Sequence, residues 1–291
     1  MYGVHVKVEQ FVLRGDIESS RLFHAMNQVK PEMVFHLAAE PYIPLGYAYP
    51  ERFMRTNYAG TLNVMMACRT FEVKRVIHYS SSEIYGTNQH EWNYATDEAE
   101  ESMDEDHPTL PQSTYAVSKL AADNLCRVLW KEHGIPVTIV RPFNCYGPRE
   151  THPYIIPDVI AQFTKLGEAH VGNLTPKRDF TYVTDHARAV ALLAEHDGQE
   201  GEIFNVGTGE APSMREVVDL LNTIILNGDG KVIVEGVRLR PYDVDELVCD
   251  SSKLCDLTGW KPEVPFGEGL QRTVDWYKQH KSWSWELRYW Q

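Results

Sequence analysis

The sequence lacks the marks of several protein classes. No apolar run approaches the ~20 residues that a bilayer-spanning helix requires, and residues 1–7 contain no apolar signal-peptide core. The 28 lysines and arginines are outnumbered by 41 acidic residues, so the formal net charge is −13. Such a charge argues against a nucleic-acid or anionic-membrane partner, although a few local arginines suffice for a phosphorylated small molecule. These absences predict a cytoplasmic protein with neither membrane nor nucleic acid as its partner.

Cysteine and histidine patterns give no sign of a disulfide framework or a metal site. The five cysteines are an odd number without paired spacing, which favours free thiols in a reducing compartment. The twelve histidines show no His-x-x-x-His spacing, and the sequence has no Cys-x-x-Cys pair. We therefore expect no metal ligand in the chain.

Short apolar runs alternate with amphipathic stretches over the first two-thirds of the sequence. Residues 33–37, 75–79 and 137–140 predict buried strands, and residues 57–69 and 115–133 predict helices. This alternation is typical of a parallel sheet wrapped by helices. Near the start of the chain, the pattern predicts another strand at 11–13. After residue 178 it predicts a strand within 179–185 leading into a helix over 187–194, and a strand at 202–206. The last predicted elements are a helix from the capping box at 213–216 to Leu226, a strand at 231–234 and a final helix over 267–277.

Tyr115 and Lys119 indicate a reaction type. At positions i and i+4 of a helix they lie on one face, where the lysine charge is expected to lower the phenol pKa from about 10. A phenolate held in this way takes a proton from a sugar hydroxyl while the carbon beneath it releases a hydride. The pair is a weak signal alone, and the stretches Ser80-Ser-Ser-Glu-Ile-Tyr-Gly86 and Arg141-Pro-Phe-Asn144 make it a strong one. Ser81, at a strand end, is expected to hydrogen-bond the same sugar hydroxyl.

These residues resemble the extended short-chain dehydrogenase/reductase family, in the NAD-dependent epimerase/dehydratase branch that acts on nucleotide sugars. Within the branch, the stretch Gly172-Asn-Leu-Thr-Pro-Lys-Arg178 is most similar to 4,6-dehydratases of N-acetylglucosamine nucleotides. The other stretches that carry the resemblance are Gly15-Asp-Ile17, His36-Leu-Ala-Ala39, Thr56-Asn-Tyr-Ala-Gly-Thr61, Arg141-Pro-Phe-Asn-Cys-Tyr-Gly-Pro-Arg149, Arg178-Asp-Phe-Thr-Tyr-Val-Thr-Asp185, Arg240-Pro241 and Gly259-Trp-Lys-Pro262.

The resemblance implies a doubly wound parallel sheet with a smaller C-terminal substrate domain. The sheet, shortened at its start, is expected to comprise residues 1–142 and 179–209, and the nucleotide-sugar domain residues 143–178 and 210–280. Residues 281–291 form an aromatic tail. The helices at 57–69 and 115–133 are expected to pair across a two-fold axis as the four-helix interface of a homodimer.

One family feature is missing from the sequence. The family opens with a G-x-x-G-x-x-G turn, whose backbone N–H groups and following helix hold the cofactor pyrophosphate. Here Gly3 is the only glycine before Gly15. Either the sequence is a shortened piece of the protein, or the protein has lost tight NAD binding, or another segment or subunit supplies the missing element.

The resemblance also assigns catalytic roles to Ser81, Ser82, Glu83, Tyr115 and Lys119. Tyr115 takes the C4 hydroxyl proton during oxidation to a 4-keto sugar, and Lys119 holds the nicotinamide ribose. Glu83 then removes the C5 proton, unless it is an ordinary salt-bridged carboxylate. Ser82 stands where glucose-nucleotide dehydratases carry an aspartate that acts as the acid for water loss. Because a serine is a poor acid, Glu83 is expected to serve as both base and acid.

The predicted cofactor is NAD, and the predicted substrate is a nucleotide sugar. Glu40 would approach the sugar hydroxyls or else cap a helix start, while Asn144, Arg178 and Arg240 would bind the sugar nucleotide, with the arginines on its diphosphate, unless they form surface salt bridges. Asp16 and Ile17 would flank the adenine. The other residues expected to bind the cofactor are Leu37, Ala38, Ala39, Asn57, Tyr115, Lys119 and Pro142. The alternative for Asp16, Ile17 and residues 37–39 is that they are ordinary turn or core residues.

The leading functional hypothesis is 4,6-dehydration of a UDP-N-acetylglucosamine-like substrate. A UDP-glucuronate decarboxylase or a nucleotide-sugar 4-epimerase would share the same serine, glutamate, tyrosine and lysine set. A different class of function is a pseudoenzyme that binds sugar nucleotides but not NAD. The sequence leaves the nucleotide base and the C2 substituent of the sugar open.

Overall fold

The computed structural model describes residues 13–86, 102–150, 152–239 and 243–280. The strands are β1 (Met33–His36), β2 (Arg75–Tyr79), β3 (Val137–Pro142), β4 (Asn144–Tyr146), β5 (Glu168–Val171), β6 (Lys177–Arg178), β7 (Phe180–Tyr182), β8 (Ile203–Val206), β9 (Lys231–Val234) and β10 (Glu246–Leu247). The helices are α1 (Arg21–Val29), α2 (Pro50–Phe53), α3 (Gly60–Thr70), α4 (Thr114–His133), α5 (Ile155–Leu166), α6 (Val183–Glu195), α7 (Met214–Leu226), α8 (Ser252–Thr258) and α9 (Phe266–Gln279).

A four-stranded parallel sheet forms the centre of the fold, in the order β1-β2-β3-β8. Successive residues of its strands point to opposite faces, and both faces are apolar. Val76 and Ile139 pack beneath α1, α3 and α4, whereas Ile77 and Val140 pack against α6 and α8. Helices therefore cover both faces of the sheet, and the predicted parallel α/β fold class is confirmed.

Helix α4 carries the predicted catalytic pair. It begins after Ser113, whose side chain accepts a hydrogen bond from the backbone N–H of Ala116 at 3.0 Å, and ends at Gly134 in the left-handed conformation. Tyr115 thus lies in its first turn, and the predicted helix at 115–133 is confirmed.

The predicted helix at 57–69 differs from the observed one. The chain enters through α2 and a π-helical segment, Met54–Ala59, before α3 begins at Gly60. The wide turn holds the buried Asn57, whose side chain bonds to groups outside the helix. Single π-helical turns inside α-helices are frequently found at functional sites.

A second apolar core lies among α5, α7 and α9, close to the strand pairs β4–β7 and β5–β9. Phe163, Leu221 and Leu270 are fully buried in this core. The capping box of Ser213 and Glu216 is present as predicted. The chain reaches this core after β3 and returns to the sheet through β8, while the domain limits themselves stay a prediction.

Two predicted segments lie outside the described residues. They are the strand at 11–13, of which only Leu13 is described, without regular structure, and the aromatic tail at 281–291. Within the described ranges, no helix combines the length and apolarity that crossing a bilayer would demand.

Candidate active site

The structure brings Ser81, Tyr115 and Lys119 together at the carboxyl end of β2. The Ser81 hydroxyl lies near the Tyr115 phenol and lowers its pKa. Lys119 is buried, and its Nζ donates to the backbone oxygen of Tyr79 at 2.7 Å. Helix α4 and the end of β2 therefore hold one hydroxyl, one phenol and one amine as a single group.

The expected influence of Lys119 on Tyr115 is wrong for this arrangement. Burial raises the pKa of Tyr115 to about 12, because the phenolate is removed from water. The Ser81 hydroxyl lowers this pKa, and the nearby Glu83 carboxylate raises it. The same burial lowers the pKa of Lys119 to about 8. Desolvation dominates both groups, an effect that helical spacing alone does not reveal.

Glu83 lies in the short 3₁₀ turn Ser82–Ile84 that follows the strand end. Its backbone N–H donates to Ser81 Oγ at 3.2 Å, and Ser82 is buried behind it. Because the Glu83 charge acts on Tyr115, the carboxylate belongs to the same site. The turn thus places a carboxylate and a hydroxyl around one phenol.

Asn57 organises the loop that follows β1. Its Oδ1 accepts from the backbone N–H of Glu40 at 2.7 Å, and its Nδ2 donates to Glu40 O at 3.1 Å and Ser118 Oγ at 2.9 Å. These bonds occupy both ends of the amide. In the structure, Asn57 fixes the Glu40 loop against α4, and its predicted contact with a cofactor stays a prediction.

The other predicted cofactor residues lie at or near sheet ends. Leu37 and Ala38 are exposed, while Ala39 and Pro142 are half-buried. Such surfaces at the carboxyl ends of parallel strands are where open α/β sheets bind ligands.

Asp16 and Ile17 form part of a turn before α1. Asp16 is exposed, and its Oδ1 accepts from the backbone N–H of Glu18 at 2.9 Å. Ile17 packs on Gly60, where an added Cβ would lie 2.5 Å from Ile17 Cδ1. Local packing accounts for both residues, and their predicted contact with adenine stays a prediction.

The described residues fit the reactive end of a nicotinamide dinucleotide. The Tyr115 phenol and the Lys119 amine, below an accessible strand end, form a donor set suited to a ribose and its neighbouring ring. The sequence offers no G-x-x-G-x-x-G turn for the pyrophosphate. The residues present therefore match the reactive end of the cofactor.

The predicted substrate residues occupy different environments. Asn144 is half-buried on β4. Arg178 is buried, with Nη1 donating to Val244 O at 2.7 Å and Nη2 to Asp243 Oδ1 at 3.2 Å. Glu40 forms an ion pair with Arg52 at 3.0 Å. Arg240 lies outside the described residues.

Residues before α5 close over this region, and the sequence reasoning missed them. Tyr154 donates from its hydroxyl to Pro41 O at 3.2 Å, and the His152 ring stacks on Tyr42 at 5.4 Å. The pKa of Tyr154 is raised by burial and by the charges of its neighbours, Tyr115 and Glu83 among them, so its phenol faces the catalytic group.

Glu150 is a further residue that sequence reasoning missed. Its Oε2 is buried and has no hydrogen-bond partner within the part of the chain that the structure describes. Burial holds its pKa well above the usual range. No spacing rule connects residues 150–154 to the loop near Pro41, because the contact spans more than a hundred residues of sequence.

The chain is similar to known proteins in sequence and in fold. The family model described as GDP-mannose 4,6 dehydratase matches residues 2–273. A dTDP-glucose 4,6-dehydratase of Streptomyces antibioticus is 30% identical over 275 residues, covering 94% of this chain and 78% of that protein.

Solved structures show the same similarity. DesIV, a dTDP-glucose 4,6-dehydratase from Streptomyces venezuelae solved with NAD and TYD, is 30% identical, with a TM-score of 0.81 over 94% of this chain and 80% of that one. MoeE5, solved with UDP-glucuronic acid and NAD, is 29% identical, with a TM-score of 0.81 over 92% of this chain and 85% of that one.

Proposed function

Because the chain belongs to the GDP-mannose 4,6-dehydratase family, we propose that it is an NAD-dependent nucleotide-sugar 4,6-dehydratase. The observation that carries the proposal is the convergence of three residues: Ser81 Oγ accepts from the Glu83 backbone N–H at 3.2 Å, and both side chains act on the pKa of the Tyr115 phenol. This set contains the proton acceptors that oxidation at C4 and elimination across C5 and C6 require. The solved relatives DesIV and MoeE5, both described with NAD, support that cofactor.

In the first step, Tyr115 accepts the proton of the C4 hydroxyl. Ser81 orients that hydroxyl and favours the phenolate, since its side chain lowers the pKa of Tyr115. Tyr115 and Lys119 are the residues that would hold the nicotinamide ribose. When bound, NAD⁺ supplies the acceptor for the hydride that leaves C4 and later returns to C6.

In the second step, Glu83 removes the C5 proton, which the new C4 ketone has made acidic. The C6 hydroxyl then leaves as water with a proton from Glu83, and a double bond forms between C5 and C6. Ser82 is a poor acid and is buried, so Glu83 acts as both base and acid. Return of hydride to C6 and of a solvent-derived proton to C5 gives the 4-keto-6-deoxy sugar.

For the substrate, we propose a hexose nucleotide with an acylamino group, such as UDP-N-acetylglucosamine. Its support is the similarity of the 172–178 stretch and the serine at position 82. Incubation with UDP-N-acetylglucosamine and NAD⁺ in D₂O should yield a 4-keto-6-deoxy product with deuterium at C5. Parallel incubations with dTDP-glucose and GDP-mannose test which nucleotide base and which C2 substituent of the sugar the protein accepts. A C4 epimer that retains the C6 oxygen would instead identify an epimerase.

A decarboxylase is the second candidate. It is favoured by the similarity to MoeE5, which was solved with UDP-glucuronic acid and NAD. After C4 oxidation, a β-keto acid loses CO₂ without a strong base at C5. Release of CO₂ from UDP-glucuronate, together with unchanged turnover in Glu83→Gln, would support this function over dehydration.

A pseudoenzyme is the alternative of a different class. Such a protein would lack the charge-assisted hydrogen bonds that hold the cofactor pyrophosphate, each worth about 1.5–3 kcal/mol. Calorimetry separates the cases: a pseudoenzyme binds the sugar nucleotide and binds NAD⁺ weakly or not at all. Micromolar NAD⁺ affinity, or cofactor retained through purification, supports the dehydratase.

We also propose a homodimer built on α3 and α4. The outward-facing side chains of Leu62, Val117 and Val128 are 36–46% exposed, and they lie on the two helices that the family resemblance assigns to a four-helix interface. Apolar side chains on two neighbouring helices are suited to burial against a second copy of the chain.

A further inference from the structure

The side chains at the two ends of the Ser82–Ile84 turn enter one buried polar cluster. Ser80 precedes the turn, Tyr85 follows it, and both are buried. We propose that the ion pair of Asp123 and Arg141 holds the turn at both ends, so that Ser80, Tyr85 and this pair are positioning residues for Ser81 and Glu83. The inference rests on the proposed dehydratase function.

The leading end of the turn is fixed to the catalytic helix. Ser80 Oγ donates to Asp123 Oδ2 at 3.1 Å. Asp123 is fully buried on α4, two helical turns after Tyr115 and on the same face. One carboxylate therefore sets the distance between the β2 end, which continues into Ser81, and the helix that carries the phenol.

The trailing end of the turn is fixed to the neighbouring strands. Arg141 Nε donates to Asp123 Oδ2 at 2.9 Å, and Nη1 donates to the Tyr85 hydroxyl at 2.9 Å. Tyr85 in turn donates to Asn205 Oδ1 at 2.7 Å on β8. The turn is thereby linked at its rear to β3 and β8, and at its front to α4.

The arrangement fits a positioning role because neither attachment touches the reacting groups. Ser81 and Glu83 lie between the two attachments and face Tyr115. A shift of about 1 Å in reacting groups lowers rates by about 100-fold. A turn of three residues with both ends fixed is a means of limiting such shifts.

The test removes one attachment at a time and leaves both charges in place, because a lone buried charge risks unfolding the protein. Ser80→Ala frees the front of the turn, and Tyr85→Phe frees its rear. Tyr146→Phe is the matched control, since its buried hydroxyl donates to Phe266 O at 3.0 Å in the second core, away from the turn.

We expect each turn variant to lower kcat by about 10–100-fold, with KM and calorimetric Kd for the sugar nucleotide changed less than about threefold. Amide hydrogen exchange of residues 81–86 should accelerate, and kcat of Tyr146→Phe should match wild type. Unchanged kcat and exchange in both turn variants would overturn the inference, as would an equal loss of kcat in Tyr146→Phe. Absence of turnover in wild type would instead refute the proposed function, while the exchange measurement would still test the attachments.

Discussion

Lys119 lies one helical turn after Tyr115, yet its Nζ donates to the Tyr79 carbonyl at 2.7 Å. The amine is therefore anchored to the end of β2 and buried beneath the site. Its pKa, lowered to about 8 from 10.5, follows from that burial. The lysine proposed to hold the nicotinamide ribose is thus also a group that destabilises the folded protein while it is charged.

The first prediction concerns stability and pH. The folded pKa of Lys119 is depressed, so the unfolded state binds more protons between pH 8 and 10.5 and stability rises with pH across that window. Lys119→Met should gain stability at pH 7 relative to wild type, and that advantage should shrink by up to about 3 kcal/mol as pH approaches 10.5. Denaturant unfolding over this range measures it, with the exposed Lys131→Met as control. A stability difference between Lys119→Met and wild type that does not change with pH would contradict the lowered pKa of Lys119.

The second prediction compares the effects of Ser81→Ala and Glu83→Gln on the pKa of Tyr115. The Ser81 hydroxyl lowers the pKa of Tyr115, and the Glu83 charge raises it. Ser81→Ala should therefore move the lower kinetic pKa of C4 oxidation upward, and Glu83→Gln should move it downward. The single-turnover rate of cofactor reduction, recorded against pH, measures both. Shifts in the same direction would show that a group other than Tyr115 titrates.

Glu83→Gln also separates the two chemical steps. The variant keeps Tyr115 and Ser81 but lacks the base for C5. Reduced cofactor should accumulate without a 4-keto-6-deoxy product, and incorporation of solvent deuterium at C5 should fall by at least about 100-fold. Full product formation would remove Glu83 from its assigned role.

The third prediction concerns Glu150. Its folded pKa lies well above the ordinary value of 4.5, so its contribution to stability is fully present below that value and is lost as pH rises through the folded pKa. Glu150→Gln should therefore stabilise the protein at pH 7.5 and have little effect at pH 4. Unfolding at both values checks this, and the exposed Glu195→Gln serves as control. Equal effects at the two pH values would mean that the carboxyl is solvated.

The fourth prediction tests the dimer. Val128→Lys introduces a charge on the exposed apolar side of α4 and should convert the dimer to a monomer, because a buried lysine lacks a partner there. Leu166→Lys, at an exposed apolar position at the end of α5, should leave the mass unchanged. Sedimentation at matched concentrations distinguishes the two. A wild-type monomer would refute the interface outright.

The sequence predicted the elements whose signals are local. The sequence predicts β2 at its observed limits and α4 to within one residue, because a buried apolar run and helical spacing are recognised over a few positions. The proposed catalytic set is predicted in the same way, since Ser81 and Tyr115 each belong to a short motif.

What sequence reasoning missed depends on distant contacts. The pKa of Tyr115 follows from burial by the whole fold, and the approach of Tyr154 to Pro41 joins loops far apart in the chain. The attachment of Ser80 to Asp123 likewise needs the sheet and α4 to be assembled. No periodicity carries information about such pairs.

The π-helical segment Met54–Ala59 makes this part of the chain sensitive to its length more than to its composition. A π-helical turn accommodates one extra residue without changing the phase of the helix on either side, so deleting one residue there would restore regular α-helical winding. Phe53 would keep its buried face, whereas Asn57 would lose the wide turn from which it reaches the Glu40 loop and Ser118. Most single substitutions on the exposed side of this segment should be tolerated, whereas a one-residue deletion should disconnect the loop after β1 from the catalytic helix.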